Sequence, residues 1–445
     1  MKKKKFLTIT AIAVLFLALM FNYYQEHQHD LQLHSYYGVL LPTNSTTETL
    51  TANSVKVFDA SGNLTGYAGL DKYSGFGGKM LVGTIIDTHG VIQKVKILEY
   101  KETPQYLKNI EKSGFYLQLV GRNIADGTTF GKDIDGISGA TLSTRAITMC
   151  VDSVSESVRT AALGLPSSSN GGLWQLGWAE LAIAMLIAGC LILSMSSKLR
   201  KLRPILLIAS VAGMGFWLNR PATIAHAASI FMGNFPVIKN NLIWYLILMI
   251  ALLPPLIFGK NYYCVYLCPF CAAQEGLYLV ANKFKISLPL GKKIPFMHKT
   301  RKFLLFISLM VAFLFQNPSV SSYEPFSPLF DLNGTRIEML LLVSVLAAAL
   351  FFRRFWCFGF CPIGGFIDLV AEARRAVGRK IKSKKRELPQ NQSSVAATTF
   401  SNPSACKCTA KQSKRGKLAE GLFKLFYALI MFGVIVSIFE KWSLM

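Results

Sequence analysis

Asn241–Val280 reads NLIWYLILMIALLPPLIFGKNYYCVYLCPFCAAQEGLYLV, and Arg336–Val370 reads RIEMLLLVSVLAAALFFRRFWCFGFCPIGGFIDLV. Each copy has an apolar run, a charge, an aromatic pair, C-x3-C-P, small residues and a short amphipathic tail. The motifs, Cys264-Val-Tyr-Leu-Cys268-Pro269 and Cys357-Phe-Gly-Phe-Cys361-Pro362, begin 93 residues apart. A duplicated pair of membrane helices would bring the two cysteine pairs together near a pseudo-twofold axis. Cysteines four apart share one face of a helical segment, and the following proline removes a backbone donor and helps end the helix. Four thiols in two pairs form a ligand set for one iron–sulfur cluster. Four-cysteine sites also bind structural zinc, and its C-x2-4-C spacing permits this pattern.

Working outward, the composition is that of a membrane protein. Of 445 residues, 52% are hydrophobic and 16% charged, against roughly 25% charged in soluble domains. The apolar runs are Phe6–Phe21, Leu173–Met195, Pro204–Leu218, Leu242–Phe258, Phe303–Phe315, Met339–Phe352 and Leu422–Phe439. Several are shorter than the ~20 residues of a full span and must extend into their flanks, which gives an α-helical polytopic protein of about seven helices.

The net charge of +24 could point to nucleic acid, but its placement argues otherwise. The excess sits at Lys2–Lys5, Lys198–Arg203, Lys260–Lys302 and Arg353–Lys424, beside apolar segments, as the positive-inside rule describes. Threading the runs alternately places every basic cluster and both cysteine pairs on the cytoplasmic side. The N-terminus is also cytoplasmic, and residues 23–172 lie outside. The outer loops near Pro221–Asn240 and Pro318–Arg336 hold only Arg220, Lys239 and Arg336 as basic residues. The expected divisions are a retained signal anchor (1–22), an extracytoplasmic domain (23–172) and a membrane domain (173–445). The last carries the repeats at 241–280 and 336–370 and a final helix at 421–440.

Residues 23–172 carry 12 Lys/Arg and 14 Asp/Glu and read as an ordinary soluble domain. Strand-like runs alternate with turn signals at Asp59-Ala-Ser-Gly62 and His89-Gly90. Helix-like stretches follow at Tyr106–Ser113 and Ser143–Leu163, so an α+β fold is expected. Within it lies Asp135-Gly136-Ile137-Ser138-Gly139-Ala140-Thr141. A Gly-rich turn opening a helix exposes N–H groups suited to a phosphate, and Ser and Thr hydroxyls add hydrogen bonds. Small-residue turns before helices are also common without any ligand.

DGISGAT resembles the acceptor motif of FMN-binding domains in Rnf and Nqr electron-transport subunits and in NosR-type proteins. The resemblance implies FMN joined by a flavin transferase through a phosphoester to Thr141, with Asp135, Ser138, Gly139 and Ala140 completing the motif. Tyr73–Leu107 is similar to the same domain's sheet and its Glu-Thr-Pro turn, which implies Glu102 and Thr103 as flavin neighbours. Gln105 stands where the family usually has Gly. This similarity covers about 120 residues, the heptapeptide being its specific part.

The cysteine repeats resemble the membrane module of NosR/NirI and NapH proteins, and with the flavin domain in front the architecture is similar to NosR/NirI. The family's C-terminal ferredoxin module is missing, and a basic stretch with Cys406 and Cys408 stands in its place. That implies a separate ferredoxin-like partner. One [4Fe-4S] cluster on Cys264, Cys268, Cys357 and Cys361 is expected. Cys271, Cys406 and Cys408 are further ligand candidates, and a second cluster is left open. Redox-inert zinc beside a flavin domain has no evident task. Cys150 and Cys190 read as buried small hydrophobes, and Tyr262, Tyr263, Phe355 and Trp356 as an interfacial belt. There is no C-x-x-C-H for haem, and His226 reads as a loop or interface residue.

The expected function is electron transfer between a cytoplasmic-side cluster and an extracytoplasmic FMN, supporting a respiratory or periplasmic reductase. The chain would be a component rather than a complete enzyme. The alternative is a redox-responsive regulator or maturation factor for a periplasmic metalloenzyme. The basic inner face suits an acidic ferredoxin- or flavodoxin-like donor, with an extracytoplasmic redox acceptor on the other side. A hydrocarbon core of ~30 Å would separate the two sites. Transfer across it then needs a second cluster, a quinone between helices, or a partner subunit.

Overall fold

The computed structural model describes residues 13–21 (except 19), 33–166 (except 76–77, 101–103, 129, 132 and 138–139), 177–288 (except 197 and 239–240), 294–386 (except 333) and 414–443. Glu102, Thr103, Ser138, Gly139, Cys406, Cys408 and the stretch Asn391–Ser404 lie outside the described residues.

The first part of the chain is an antiparallel meander of five strands: β1 (Thr46–Thr51), β2 (Ser54–Phe58), β3 (Leu64–Ser74), β4 (Lys79–Asp87) and β5 (Ile92–Glu99). The expected turns form where glycine supplies positive φ. Gly62 (φ 79°) and Gly90 (φ 80°) donate to the carbonyls of Asp59 and Asp87, a geometry that costs other residues strain. Two helices follow, α1 (Pro104–Lys112) and α2 (Thr141–Ala161).

Alternation in β4 gives the sheet two buried faces. Met80, Val82 and Ile86 meet Ile147, Cys150, Val151, Val154 and Val158 of α2. Leu81 faces the other way, onto Leu40, Val55 and Leu70. Helix α2 comes so close to β3 that a Cβ on Gly69 would lie 2.3 Å from a methyl of Val154. The α+β expectation therefore holds, and Cys150 is fully buried, as is Cys190 in the helical part.

The helical module comprises α3 (Trp178–Met195), α4 (Arg203–Ser210) running on as a π-helix (Val211–Trp217), α5 (Ile224–Phe231), α6 (Leu242–Phe258), α7 (Pro269–Lys283), α8 (Ile294–Leu314), α9 (Arg336–Phe351), α10 (Pro362–Arg386) and α11 (Lys414–Ser443). Among the described residues two helices are long and apolar enough to cross a membrane, α3 and the Leu418–Glu440 part of α11. Helix α6 is apolar but only 17 residues long. Two of the seven expected runs thus meet the length and composition of a span. The expected anchor run Phe6–Phe21 lies partly outside the described residues; the others are short, or share a helix with charges, as α8 does with Lys299, Arg301 and Lys302. The outward faces are nonetheless greasy: Met185, Ile192, Ile257, Phe258, Phe432 and Phe439 are all exposed.

The duplication read from the sequence is structural. Helix α6 packs on α10, and α7 packs on α9, so each helix before a cysteine pair meets the helix after the other pair. Parts of the loops expected to lie outside pack into the module. Ala222, Ile224, Tyr323 and Phe326 are buried, because their apolar side chains fold back into the module. Thr223 and His226 form a capping box at the start of α5, and Asn317 caps the turn Pro318–Ser321. Those caps satisfy backbone N–H groups that burial would otherwise leave unpaired.

The cysteine centre and the acceptor turn

The two C-x3-C-P segments close by the same backbone device. The Cys268 N–H donates to the Tyr263 carbonyl at 2.9 Å and the Cys361 N–H to the Trp356 carbonyl at 3.1 Å, both five residues back. Such π-type closures recur at functional sites. Each second cysteine then precedes a helix that begins with proline, where its missing N–H costs nothing. The Cys268 and Cys361 carbonyls accept from Ala272 and Gly365, both at 3.1 Å. The Gly364 N–H points at the Cys361 sulfur at 3.4 Å, and the Cys271 N–H serves Cys268 in the same way.

The cysteines share one buried cluster. Cys268, Cys271 and Cys361 are buried, and Cys264 and Cys357 pack against the same core. Cys268 lies near Cys271, Cys264 and Cys361, and Cys357 lies near Cys271. Cys271 therefore belongs physically with the four motif thiols.

The surrounding residues are ones the sequence reading did not single out. Gln274, fully buried, reaches from the first repeat to the second: its Nε2 donates to the Cys357 sulfur at 3.3 Å and its Oε1 accepts from the Trp356 N–H at 3.2 Å. Arg301 donates to the Cys357 carbonyl at 2.9 Å and pairs with Asp368 at 2.5 Å. Asp368 also accepts from Asn261 at 3.0 Å, and the Asn261 side chain accepts from the Cys264 N–H at 3.0 Å. Glu275 collects Arg203 and Arg354, each at 2.6 Å, and Arg353. Buried acids so close to a cysteine pair were a signal available in CAAQEG and GGFIDL. Their partners were not, being distant in sequence.

These residues fit an iron–sulfur cluster. The donors are thiols, and Arg301 Nε, Arg354 Nε and Trp356 Nε1 are buried N–H groups with no hydrogen-bond partner among the described residues. Buried donors of this kind are costly unless something accepts from them, and cluster sulfurs do so, which sets cluster potential. Among the described residues no three Cys, His, Asp or Glu side chains converge tightly enough to hold one metal ion.

The expected aromatic belt is a correction. Tyr263, Phe355 and Trp356 are fully buried, and Tyr263 instead links the cysteines to the folded-back loop. Its hydroxyl accepts from the Ala222 N–H at 2.7 Å. In the other half, the Tyr323 hydroxyl donates to the carbonyl of Phe360, next to Cys361, at 2.6 Å. The loops expected on the far side of the membrane therefore touch the cysteine segments directly.

Thr141 is the first residue of α2, half-buried, with its hydroxyl donating to the Ile137 carbonyl at 3.2 Å. The turn before it is clamped through its backbone. The Gln118 side chain accepts from the Asp135 N–H at 2.8 Å and donates to the Asp135 carbonyl at 3.4 Å, leaving Asp135 itself exposed. Ala140 is buried. Gly136 is needed by proximity: a Cβ there would sit 2.7 Å from the Phe130 ring and 3.3 Å from the Thr141 methyl. The turn offers an accessible hydroxyl at a helix N-terminus, where a phosphate is favoured.

Comparisons with known proteins agree with both sites. Residues 75–156 match the FMN-binding domain, and residues 240–287 and 337–384 each match the 4Fe-4S binding domain. The regulatory protein NosR of Pseudomonas aeruginosa is 30% identical over 27% of this chain and 18% of its own length. The protein NirI of Paracoccus denitrificans is 25% identical over 45% of this chain and 33% of its own. An uncharacterized protein of Methanocaldococcus jannaschii is 26% identical over 27% of this chain and 52% of its own. The chain thus spans from about a fifth to half of these relatives. No solved structure matches it. The chain thus carries an FMN-binding domain followed by two 4Fe-4S binding segments, and in part of its length it is similar to NosR and NirI.

Proposed function

We propose that this protein is a membrane-bound electron carrier between one [4Fe-4S] cluster, held by Cys264, Cys268, Cys357 and Cys361, and FMN esterified to Thr141. The cofactors supply the redox chemistry; the chain places them and tunes their surroundings. The observation that carries the reading is the Tyr263 hydroxyl bonded to Ala222. It ties the segment before Cys264 to the loop that runs on to the α+β domain's side of the module. Transfer between the two sites calls for a second cluster, a quinone between helices or a partner subunit.

In this reading the helical module is multi-pass in the cytoplasmic membrane, with the flavin domain outside. Exposed apolar faces on α3, α6 and α11 and the basic clusters support that placement. A ferredoxin- or flavodoxin-like donor docks on the basic face, a flavin transferase loads Thr141, and an extracytoplasmic reductase takes the electrons. A redox-responsive regulator is the second reading, favoured by the description of NosR as a regulatory protein.

The test is cofactor analysis of protein co-expressed with a flavin transferase under anaerobic conditions. In-gel flavin fluorescence lost in Thr141→Val, with iron and sulfide lost in Cys268→Ser, is the expected result. Zinc without iron, or no bound flavin in the wild type, overturns the proposal. Stopped-flow reoxidation separates the two readings: a carrier is reoxidised rapidly by its acceptor, and a regulator slowly.

A further inference from the structure

The helices that follow the two cysteine pairs leave matching faces uncovered. Phe284, just past the end of α7, is 69% exposed and Val377 of α10 is 52% exposed. Counted from the second cysteine of each motif, Gly276, Val280 and Phe284 stand 8, 12 and 16 residues on, and so do Leu369, Ala373 and Val377. All six are exposed. Residues four apart lie on one helix face, so the duplication sets an equivalent stripe on each helix. The inward faces are spent on the module: Gln274 and Ala281 in one copy, and Ile363, Ile367 and Ala371 in the other, are buried.

Both stripes are edged with positive charge. Lys283 and Lys285 are exposed beside Phe284, and Arg374 and Arg379 beside Val377. Residues 276–286 hold two Lys and no Asp or Glu, and residues 373–386 hold eight Lys/Arg and no Asp or Glu. The second stripe also adjoins an exposed apolar helix end. Arg375 donates to the Gly259 carbonyl at 2.8 Å, which ties α10 to the end of α6, where Ile257 and Phe258 are exposed.

An apolar stripe edged by Lys and Arg is the pattern of a helix lying in the membrane interface. An acidic protein would answer the charges but leave the stripes in water. An anionic lipid layer answers both, its acyl chains taking the stripe and its headgroups the cations. Parallel repeats are related by an axis along the membrane normal, so equivalent stripes meet the same layer at the same depth.

We propose that the helices after the two cysteine pairs are paired interfacial anchors. Val280, Phe284, Leu369 and Val377 enter the inner leaflet, and Lys283, Arg374 and Arg379 bind anionic lipid headgroups. The inference rests on the membrane placement proposed above and goes beyond it by naming a lipid-binding surface. The cysteine centre, at the roots of both helices, is then held at the inner headgroup layer.

The experiment uses the full chain in vesicles of phosphatidylcholine and phosphatidylglycerol in equal parts. Photoreactive benzoylphenylalanine is introduced at Phe284, at Val377 or, as a reference, at Met185 on the exposed face of the α3 span, with size-exclusion profiles confirming folding. After irradiation, mass spectrometry should find lipid adducts at all three positions. Phosphatidylglycerol should exceed phosphatidylcholine severalfold at Val377 and match it at Met185, and Arg374→Gln with Arg379→Gln should abolish the excess. Lipid adducts at Met185 but at neither Phe284 nor Val377 overturn the anchors and leave the membrane placement standing. Equal yields of the two lipids at Val377 overturn the headgroup binding. Adducts to added acidic ferredoxin in place of lipid overturn the anchors in favour of a protein partner. No lipid adduct at any position sinks the membrane placement itself.

Discussion

Arg354 and Glu275 form a 2.6 Å ion pair in the place where the other repeat sets Asn261 against Asp368 at 3.0 Å. Arg354 and Asn261 each stand three residues before the first cysteine of their motif. Glu275 and Asp368 each stand seven after the second. The duplication therefore exchanges side chains across its pseudo-axis, and each bond links one repeat's cysteine segment to the other repeat's helix. One bond is ionic and reinforced by Arg203 and Arg353; the other is an amide contact reinforced by Arg301.

This asymmetry predicts unequal sensitivity. Glu275 is nearly enclosed, its side chain 7% exposed against 30% for Asp368, and removing one member of a buried pair costs about 3–5 kcal/mol. Glu275→Gln should lower the denaturation midpoint clearly more than Asp368→Asn. Equal losses would show that the three-arginine grouping adds nothing.

Gln274 should tune the cluster. Its amide donates to the Cys357 sulfur, and hydrogen bonds to sulfur stabilise the more reduced, more negative state. Gln274→Leu should keep iron and sulfide yet lower the reduction potential in an EPR-monitored titration. An unchanged potential would mean that the amide does not face the cluster.

The acceptor turn should fail by crowding. In Gly136→Ala the new methyl meets the Phe130 ring, and the ring's displacement moves Thr141 and Arg145. In-gel flavin fluorescence should fall, and Phe130→Leu in the same chain should restore it in part.

Acid should loosen the β4–β5 turn first. Burial pushes the Asp87 carboxyl up, but bonds from the Val91 N–H, Gln93 and the His89 N–H outweigh it and hold the group below its ordinary 3.8. The folded value lies below the unfolded one, so this stability is present above pH 3.8 and is lost as pH falls through the folded value. Hydrogen exchange at residues 88–93 should accelerate below pH 3.8 in the wild type and be fast already at neutral pH in Asp87→Asn.

Cys150 should be inert. It is fully buried, and burial drives its thiol well above the usual range, so it offers no thiolate for alkylation. Maleimide should label it only after unfolding.

The sequence by itself determined what depends on local chemistry. Alternation in β4, glycines at Gly62 and Gly90, and helix stretches after Lys101 gave the α+β domain. Two C-x3-C-P copies in matching company gave the duplication and its thiols. Those signals lie within a few residues of one another, where backbone geometry alone decides the outcome. Only the tertiary structure brought Gln274 to Cys357, Asn261 to Asp368 and Arg354 to Glu275, because these partners are 79 to 107 residues apart and meet through crossed helix packing. It also turned Tyr263 and Trp356 from a presumed surface belt into core, and folded Pro221–His226 back onto the cysteine segments. Hydropathy records how apolar a residue is. Whether it faces lipid or another helix is decided by which surfaces fit once the whole module has packed.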